Sequence, residues 1–179
     1  MQDRPGAGGV LVAGLGNTLL GDDGFGPAVV RWLEAHWVFP PGVDVEDLGT
    51  PGPGIATFLA GREAVVLVDT IAADAPPGTV RRLSAEELAG AGPRTGPHEV
   101  DLRAALDALA LAGEAPGHLA VVGVVPVCTG TGEALSGPVR EAIPAAADLV
   151  LRELAGLGVT PARREPPLPF RADWLGGQP

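Results

Sequence analysis

Three residues of the sequence have side chains that could together bind a metal ion. Asp23 lies in an acidic, glycine-rich stretch. Asp69 directly follows an apolar run, and His98 lies between a proline and a glutamate. Two carboxylates and one imidazole suit nickel, zinc, iron, cobalt or manganese, and they leave coordination positions open for water or a substrate. These groups bind near neutral pH at little protonation cost, because carboxylates are ionised and histidine is largely neutral there.

Asp23 and its neighbour Asp22 also have a simpler interpretation, because acidic side chains stabilise the start of a helix. Residues 27–37 have helical spacing, and a proline such as Pro27 is common in the first turn of a helix. That placement puts Gly26 at the helix cap and leaves Asp23 several residues upstream. The sequence therefore leaves both a functional role and a helix-stabilising role open for the two aspartates.

Simpler roles are also open to the other polar residues. Asp69 could cap a turn together with Thr70, and a loop histidine such as His98 is most often solvated. Cys128 follows an apolar run and could be a nucleophile. No histidine lies in a recognisable pairing context for that thiol, which favours a role as a small, partly buried hydrophobe.

The glycines before the two aspartates do not predict a nucleotide site. Gly14 and Gly16 end an apolar run as in a dinucleotide fingerprint, but Leu19 occupies the place of the third glycine. Asp22 and Asp23 would also repel a pyrophosphate. A P-loop needs a Gly-Lys step, and the chain contains no lysine.

Short apolar runs alternate with segments of helical spacing, which predicts a doubly wound α/β sheet. The strand 79–83 follows a short connection, so we expect it to run antiparallel to its predecessor. Predicted strands are 9–14, 43–48, 64–68, 79–83 and 119–127, and predicted helices are 27–37, 55–59, 102–109 and 139–157. Ligands of such sheets bind outside the carboxyl ends of the strands, and only this fold would bring the distant Asp23 and Asp69 together.

The length of 179 residues fits one domain, which we predict to span residues 1–160. The remaining residues, 161–179, are rich in proline and contain arginines, and they are predicted to form a mobile tail.

The composition excludes several classes of protein. A formal net charge of −10 disfavours binding to nucleic acid, because phosphate binding relies on clustered cations. One cysteine permits no internal disulfide. The first residues, MQDRPGAGGV, lack the basic start and apolar core typical of a signal peptide, and no apolar run approaches the roughly 20 residues that span a bilayer. We therefore expect a soluble cytoplasmic protein with no membrane partner.

The glycine-rich stretch gives the most specific resemblance to a known family. Gly14-Leu15-Gly16-Asn17 followed by Asp22-Asp23-Gly24-Phe25-Gly26 resembles the opening signature of the nickel-iron hydrogenase maturation endopeptidases. The resemblance extends over about residues 10–157. The sequence departs from the family at 125–128, where some members have more polar residues, so the family's substrate contacts do not carry over to these positions. Further segments resemble the family in the same order: Asp47-Leu48-Gly49-Thr50-Pro51-Gly52, Leu67-Val68-Asp69, Pro97-His98-Glu99, Val122-Gly123-Val124-Val125-Pro126 and Leu135-Ser136-Gly137-Pro138-Val139.

This resemblance implies a fold, a reaction and a set of site residues. The fold is a three-layer α/β/α arrangement with a mixed, mainly parallel five-stranded sheet, of the phosphorylase/hydrolase-like class. The reaction is removal of a C-terminal extension from the precursor of a hydrogenase large subunit after nickel insertion. The metal-binding positions of the family correspond here to Asp23, Asp69 and His98, and the first of them is glutamate in some members.

Several alternatives stay open at this point. Nickel presented by the precursor is the expected ion, and other divalent transition ions could substitute for it. The bound ion could position the scissile bond and activate the attacking water. Alternatively, Asp23 or Asp69 could act as general base. The alternative functions are a non-catalytic nickel-binding chaperone and a metal-dependent peptidase with another substrate.

Overall fold

The chain contains a mixed β-sheet, and the computed structural model describes residues 8–89, 94–95, 99–132 and 134–170. The strands in these ranges are β1 (Val10–Leu15), β2 (Trp37–Val38), β3 (Val43–Gly49), β4 (Ala64–Ala72), β5 (Val80–Ser84), β6 (Arg94–Thr95), β7 (His118–Val124) and β8 (Ala162–Arg163). The five main strands have the order β3-β1-β4-β7-β5, in which the first four are parallel and β5 is antiparallel to β7. The short β6 pairs with the end of β4, and β2 pairs with β8 outside this sheet.

Helices cover both faces of the sheet. Their bounds are α1 (Phe25–His36), α2 (Ile55–Leu59), α3 (Ala85–Ala89), α4 (Glu99–Ala112), α5 (Gly137–Glu141) and α6 (Ile143–Gly156). Leu33 of α1 and Leu154 of α6 are buried in one apolar cluster, whereas Ile55 of α2 and Leu109 of α4 are buried in a second. This three-layer α/β/α arrangement confirms the predicted fold class. None of the described helices has both the length and the apolar character needed to cross a membrane.

The central strands β1, β4 and β7 are buried on both faces, which explains why each is a continuous apolar run. In β4, Val66 and Val68 pack into the cluster that contains α1 and α6. Val65 and Leu67 pack into the cluster that contains α2 and α4, as the alternation of side chains along a strand requires. Burial of apolar side chains on both faces stabilises β1, which precedes Asp23, and β4, which contains Asp69.

The strand predicted at 79–83 is confirmed as β5, and its direction relative to β4 is also as predicted. The two strands are not neighbours, however, because β7 pairs with both and lies between them. Val80 at the start of β5 pairs with Val124 at the end of β7, as in an antiparallel pair. Sequence proximity gave the correct orientation, but the partner of β5 comes from much later in the chain.

Several predicted boundaries differ from the observed ones, three of them in ways that have a clear physical cause or consequence. The strand predicted at 64–68 continues to Ala72, and the strand predicted to reach residue 127 ends at Val124. The long helix predicted at 139–157 is two helices, α5 and α6, separated at Ala142. Pro144 explains that break, because proline lacks an N–H and its ring clashes with the preceding helical turn, so it is accommodated only in the first turn of α6.

The segment after α6 is attached to the end of α1. The backbone N–H of Arg164 donates to His36 O at 2.8 Å, and that of Leu168 donates to Ala35 O at 2.8 Å. The Arg163 guanidinium lies 5.9 Å from the centre of the Trp37 ring. Residues 162–168 of the predicted tail therefore contact β2 and the end of α1, and the mobility of the tail stays a prediction. Residues 171–179 lie outside the described part, and the domain boundary at 160 stays a prediction.

A carboxylate on α6, Glu153, links that helix to β5 and β7. Arg82 donates from Nε to Oε1 at 2.7 Å and from Nη2 to Oε2 at 3.3 Å. His118 Nε2 lies 3.1 Å from Oε2. The hydrogen bond from Arg82 is the main cause that lowers the pKa of Glu153, partial burial opposes it, and His118 lowers it further.

We expect the Glu153 ion pair to stabilise the fold by about 1 kcal/mol at neutral pH. Because the folded pKa is depressed, this stability is present above the unfolded pKa of about 4.3 and is lost as pH falls through the folded value. Thermal unfolding followed from about pH 7 downward should show Glu153→Gln less stable than wild type at neutral pH, with the difference shrinking as the pH falls through the lowered pKa of Glu153. Parallel curves for the two proteins over the whole range would contradict this assignment.

Candidate functional site

The candidate site begins where the chain leaves β1 through a glycine-rich turn. Gly16 has φ +134°, in the region that only glycine adopts readily. A Cβ at Gly16 would lie 1.7 Å from the carbonyl oxygen of Asp23. The turn therefore folds back on itself, and the absence of a side chain at Gly16 lets the backbone of Asp23 lie against the end of β1.

Two further glycines let the start of α1 lie directly on the sheet. A Cβ at Gly26 would lie 2.3 Å from Leu15 O and 2.4 Å from Val68 O. A Cβ at Gly14 would lie 2.5 Å from the carbonyl carbon of Gly26. The glycines of the opening signature are thus required by close backbone approach, and they bring the turn before α1 to the carboxyl ends of β1 and β4.

Asp23 lies in a 3₁₀ turn, Gly21–Gly24, between β1 and α1. Its side chain is 1% exposed, and Oδ2 accepts a hydrogen bond from the backbone N–H of Asn17 at 2.8 Å. Oδ1 is buried and has no hydrogen-bond partner among the described residues. A buried carboxylate oxygen without a partner is costly, so its presence indicates a position for a ligand, a cation or a proton.

Neither Asp22 nor Asp23 is the N-cap residue of α1, and stabilisation of the helix start by their charges stays a prediction. α1 begins at Phe25 with Gly24 at its N-cap, two residues earlier than predicted, so Asp23 is next to the cap and not several residues upstream. The N-cap residue, Gly24, makes no side-chain capping hydrogen bond. Asp23 accepts its hydrogen bond from Asn17 instead, and Asp22 is bonded elsewhere.

Asp69 lies inside β4, one residue beyond the last pair that joins β4 to β1. It is fully buried and pairs with Gly123 of β7. Oδ1 accepts a hydrogen bond from the backbone N–H of Thr70 at 2.7 Å, so the predicted contact with Thr70 is present, although in a strand and not in a turn. The 3₁₀ turn that carries Asp23 contacts β4. The structure therefore brings Asp23 and Asp69 to the same edge of the sheet.

His98 lies outside the described residues, and its place in the site stays a prediction. The described chain resumes at Glu99, where α4 begins. In the first turn of α4, Asp101 Oδ2 lies 3.8 Å from the position of a Cβ on Gly52, in the turn that follows β3. Within the described part of the chain, no group of three His, Cys, Asp or Glu side chains is arranged to hold a metal ion.

The structure gives Asp22 a role that the sequence analysis missed. Its buried Oδ2 accepts hydrogen bonds from the backbone N–H of Val127 at 2.8 Å and of Cys128 at 3.2 Å. Ser136 donates its backbone N–H to Oδ1 at 2.7 Å and its hydroxyl to Oδ2 at 3.0 Å. The sequence offered one indication of this role, because both the acidic pair and the Leu135–Val139 segment resemble family motifs. The contact between Asp22 and Ser136 could not be predicted from it, since the two residues are far apart in the chain.

Cys128, His36 and His118 are the other cysteine and histidine side chains among the described residues. Cys128 is exposed, which corrects its prediction as a partly buried hydrophobe, and its sulfur accepts a hydrogen bond from Gly130 N–H at 3.2 Å. His36 Nδ1 lies 2.8 Å from Trp32 O, and His118 contacts Glu153 as described above.

Comparison with known proteins adds evidence of a different kind. Residues 27–153 match a protein-family model described as HycI, hydrogenase maturation protease. The chain is 34% identical over 158 residues to the hydrogenase 2 maturation protease of Escherichia coli (strain K12), with 87% of this chain and 96% of that protein covered. It is 33% identical over 159 residues to the hydrogenase expression/formation protein HupD of Thiocapsa roseopersicina, with 87% and 72% covered. The solved structure of the hydrogenase maturating endopeptidase HybD from E. coli superposes with a TM-score of 0.81 at 32% identity, covering 88% of this chain and 98% of that one.

Proposed function

Because this chain belongs to the hydrogenase maturation protease family, we propose that it removes the C-terminal extension from the precursor of a nickel-iron hydrogenase large subunit. It is an endopeptidase, as the names of its relatives indicate. That finding disfavours the alternative of a non-catalytic nickel-binding chaperone. No observation favours a different peptide substrate, so the large-subunit precursor is the proposed partner.

The observation that carries the proposed site is the buried Asp23 carboxylate, whose Oδ1 has no partner in the described chain. Asp69, in the strand that the turn carrying Asp23 contacts, adds a second buried carboxylate. Two carboxylates shielded from water favour a cation strongly, because electrostatic attraction is weakly screened there. The donor set thus suits a divalent transition ion.

We assign that ion to the substrate: nickel already inserted in the precursor would be engaged by Asp23, Asp69 and His98. The proposal rests on the oxygen donors described here and, for His98, on the resemblance of its sequence motif. Engagement of the ion would hold the nearby peptide bond at the site, which raises the rate by positioning. A carboxylate at the same edge would take the proton of the attacking water.

Within this assignment, the two carboxylates differ in what their oxygens already contact. Asp69 Oδ1 accepts a hydrogen bond from Thr70 and Asp23 Oδ2 accepts one from Asn17, which fixes the orientation of each group. Asp23 Oδ1 is the oxygen without a described partner, so we propose it as the atom that contacts the ion or the attacking water. A cytoplasmic location remains a prediction from the sequence.

Incubation of the purified chain with nickel-loaded precursor should release the extension, which intact mass spectrometry would detect as two products. Precursor prepared without nickel should remain uncut under the same conditions, because the ion is part of what is recognised. Asp148→Asn, which replaces an exposed aspartate of α6, should cleave the nickel-loaded precursor as wild type does. Equal cleavage of both precursors would remove nickel from the proposal, and cleavage of neither would contradict the assigned substrate.

A further inference from the structure

Asp22 joins two segments that border the candidate site. The first is the turn after β1, which carries Asp23, and the second is the loop after β7, here called the β7 loop and defined as residues 125–132 and 134–136. All four hydrogen bonds to the Asp22 carboxylate come from the β7 loop. The carboxylate is 1% exposed, so water does not compete for these bonds.

Backbone hydrogen bonds reinforce the same junction. Asp22 N–H donates to Cys128 O at 3.0 Å, and Gly21 N–H donates to Gly132 O at 2.6 Å. In the opposite direction, Gly132 N–H donates to Leu19 O at 3.1 Å. The two segments are therefore held side by side, and the side chain of Asp22 satisfies N–H groups of the β7 loop that no strand or helix satisfies.

Each segment presents a large apolar side chain to solvent close to these bonds. Leu19 is 56% exposed on the turn after β1, and Val127 is 54% exposed on the β7 loop. Val127 N–H is itself one of the donors to Asp22. Both side chains are therefore available to contact a polypeptide bound along these two segments.

We propose that Asp22 is a positioning residue that fixes the β7 loop against the turn carrying Asp23, so that the two segments form one wall of the binding site for the precursor polypeptide. This inference rests on the proposed function for its substrate. The role is distinct from that of Asp23, because the oxygens of Asp22 are occupied by the loop whereas Asp23 Oδ1 has no described partner.

The first test measures the loop itself by hydrogen exchange and needs no substrate. Asp22→Asn places an amide NH₂ against N–H donors, since asparagine has one acceptor oxygen where aspartate has two. Peptides covering 125–136 should exchange at least about tenfold faster in the variant, whereas peptides from α6 should be unchanged. Ser136→Ala, which removes only the hydroxyl donor and keeps the charge of Asp22, should show a smaller change in the same peptides.

The second test separates positioning from catalysis through the kinetics of cleavage. A displaced wall weakens binding of the precursor, so Asp22→Asn should raise KM by about tenfold and change kcat by less than about threefold. A loss of folded enzyme would instead lower the apparent kcat at unchanged KM. Asp148→Asn serves again as the control of equal charge change.

Unchanged exchange over 125–136 in folded Asp22→Asn would overturn the inference, as would a fall in kcat at normal KM. Faster exchange throughout the protein would also overturn it, because Asp22 would then support the whole fold and not the loop. If the wild-type protein failed to cleave the precursor, the proposed function would fall, while the exchange experiment would still decide whether Asp22 holds the β7 loop.

Discussion

Substitution of Asp23 by asparagine is expected to slow cleavage of the precursor by at least about a hundredfold while leaving the protein folded. Asparagine keeps the shape of the side chain and can still accept the hydrogen bond from Asn17 N–H. It removes the negative charge and, with its oxygen bonded to Asn17 N–H, places an amide NH₂ at the position of Oδ1. The interactions that are lost are therefore those with the substrate and its ion.

The stability of Asp23→Asn should equal or exceed that of wild type, because the substitution removes a buried charge that lacks a full set of partners. Circular dichroism and thermal unfolding would establish the folded state, and mass spectrometry of the precursor would report cleavage. Asp148→Asn controls for the loss of one charge on an exposed helix surface. Normal cleavage by folded Asp23→Asn would remove Asp23 from the site.

Substitution of Gly26 by alanine is expected to destabilise the fold by more than about 3 kcal/mol, a large part of the 5–15 kcal/mol typical of a domain. The new Cβ would lie 2.3 Å from Leu15 O, 2.4 Å from Val68 O and 2.6 Å from Leu15 N. These are backbone atoms of the two central strands, which cannot move aside as a side chain can. Helix α1 would have to leave the sheet to relieve the contacts.

Gly156→Ala is the matched control for that substitution, because a Cβ at the end of α6 would meet no atom within 4 Å. Alanine should stabilise this helix slightly, by up to about 1 kcal/mol, since it restricts the unfolded chain and favours helix. Soluble yield and the midpoint of thermal unfolding would compare the two variants. A Gly26→Ala protein with the unfolding midpoint of wild type would show that the close packing of α1 on β1 and β4 is not required.

The elements whose patterns are set locally could be predicted from the sequence. β1 and β4 are continuous apolar runs because both of their faces are buried, and Ile55–Leu59 forms the short helix that its spacing indicated. The signature glycines located the turn that carries Asp23. Boundaries were less accurate, since β4 extends past Asp69 by pairing with β7 and the break before α6 depends on Pro144.

Features that depend on distant contacts could not be predicted. The insertion of β7 between β4 and β5 follows from pairing across the whole domain, which no local pattern encodes. Asp22 and Asp23 have the same side chain and adjacent positions, yet one is saturated by the β7 loop and the other has a buried oxygen without a described partner. Only the three-dimensional path of the loop distinguishes them.

The partners of Asp22 have a consequence for the order in which the protein is made. Ser136 lies 114 positions after Asp22, and Cys128 lies 106 positions after it. While Cys128 and Ser136 are still inside the ribosome, the nascent chain contains the turn with Asp22 and Asp23. The β7 loop is not yet available to form hydrogen bonds with Asp22. The proposed wall of the binding site therefore forms late in synthesis, because its long-range contacts need residues that are made after the early strands. A truncated translation product ending before Ser136 would carry Asp23 and Asp69 and still lack an assembled protease.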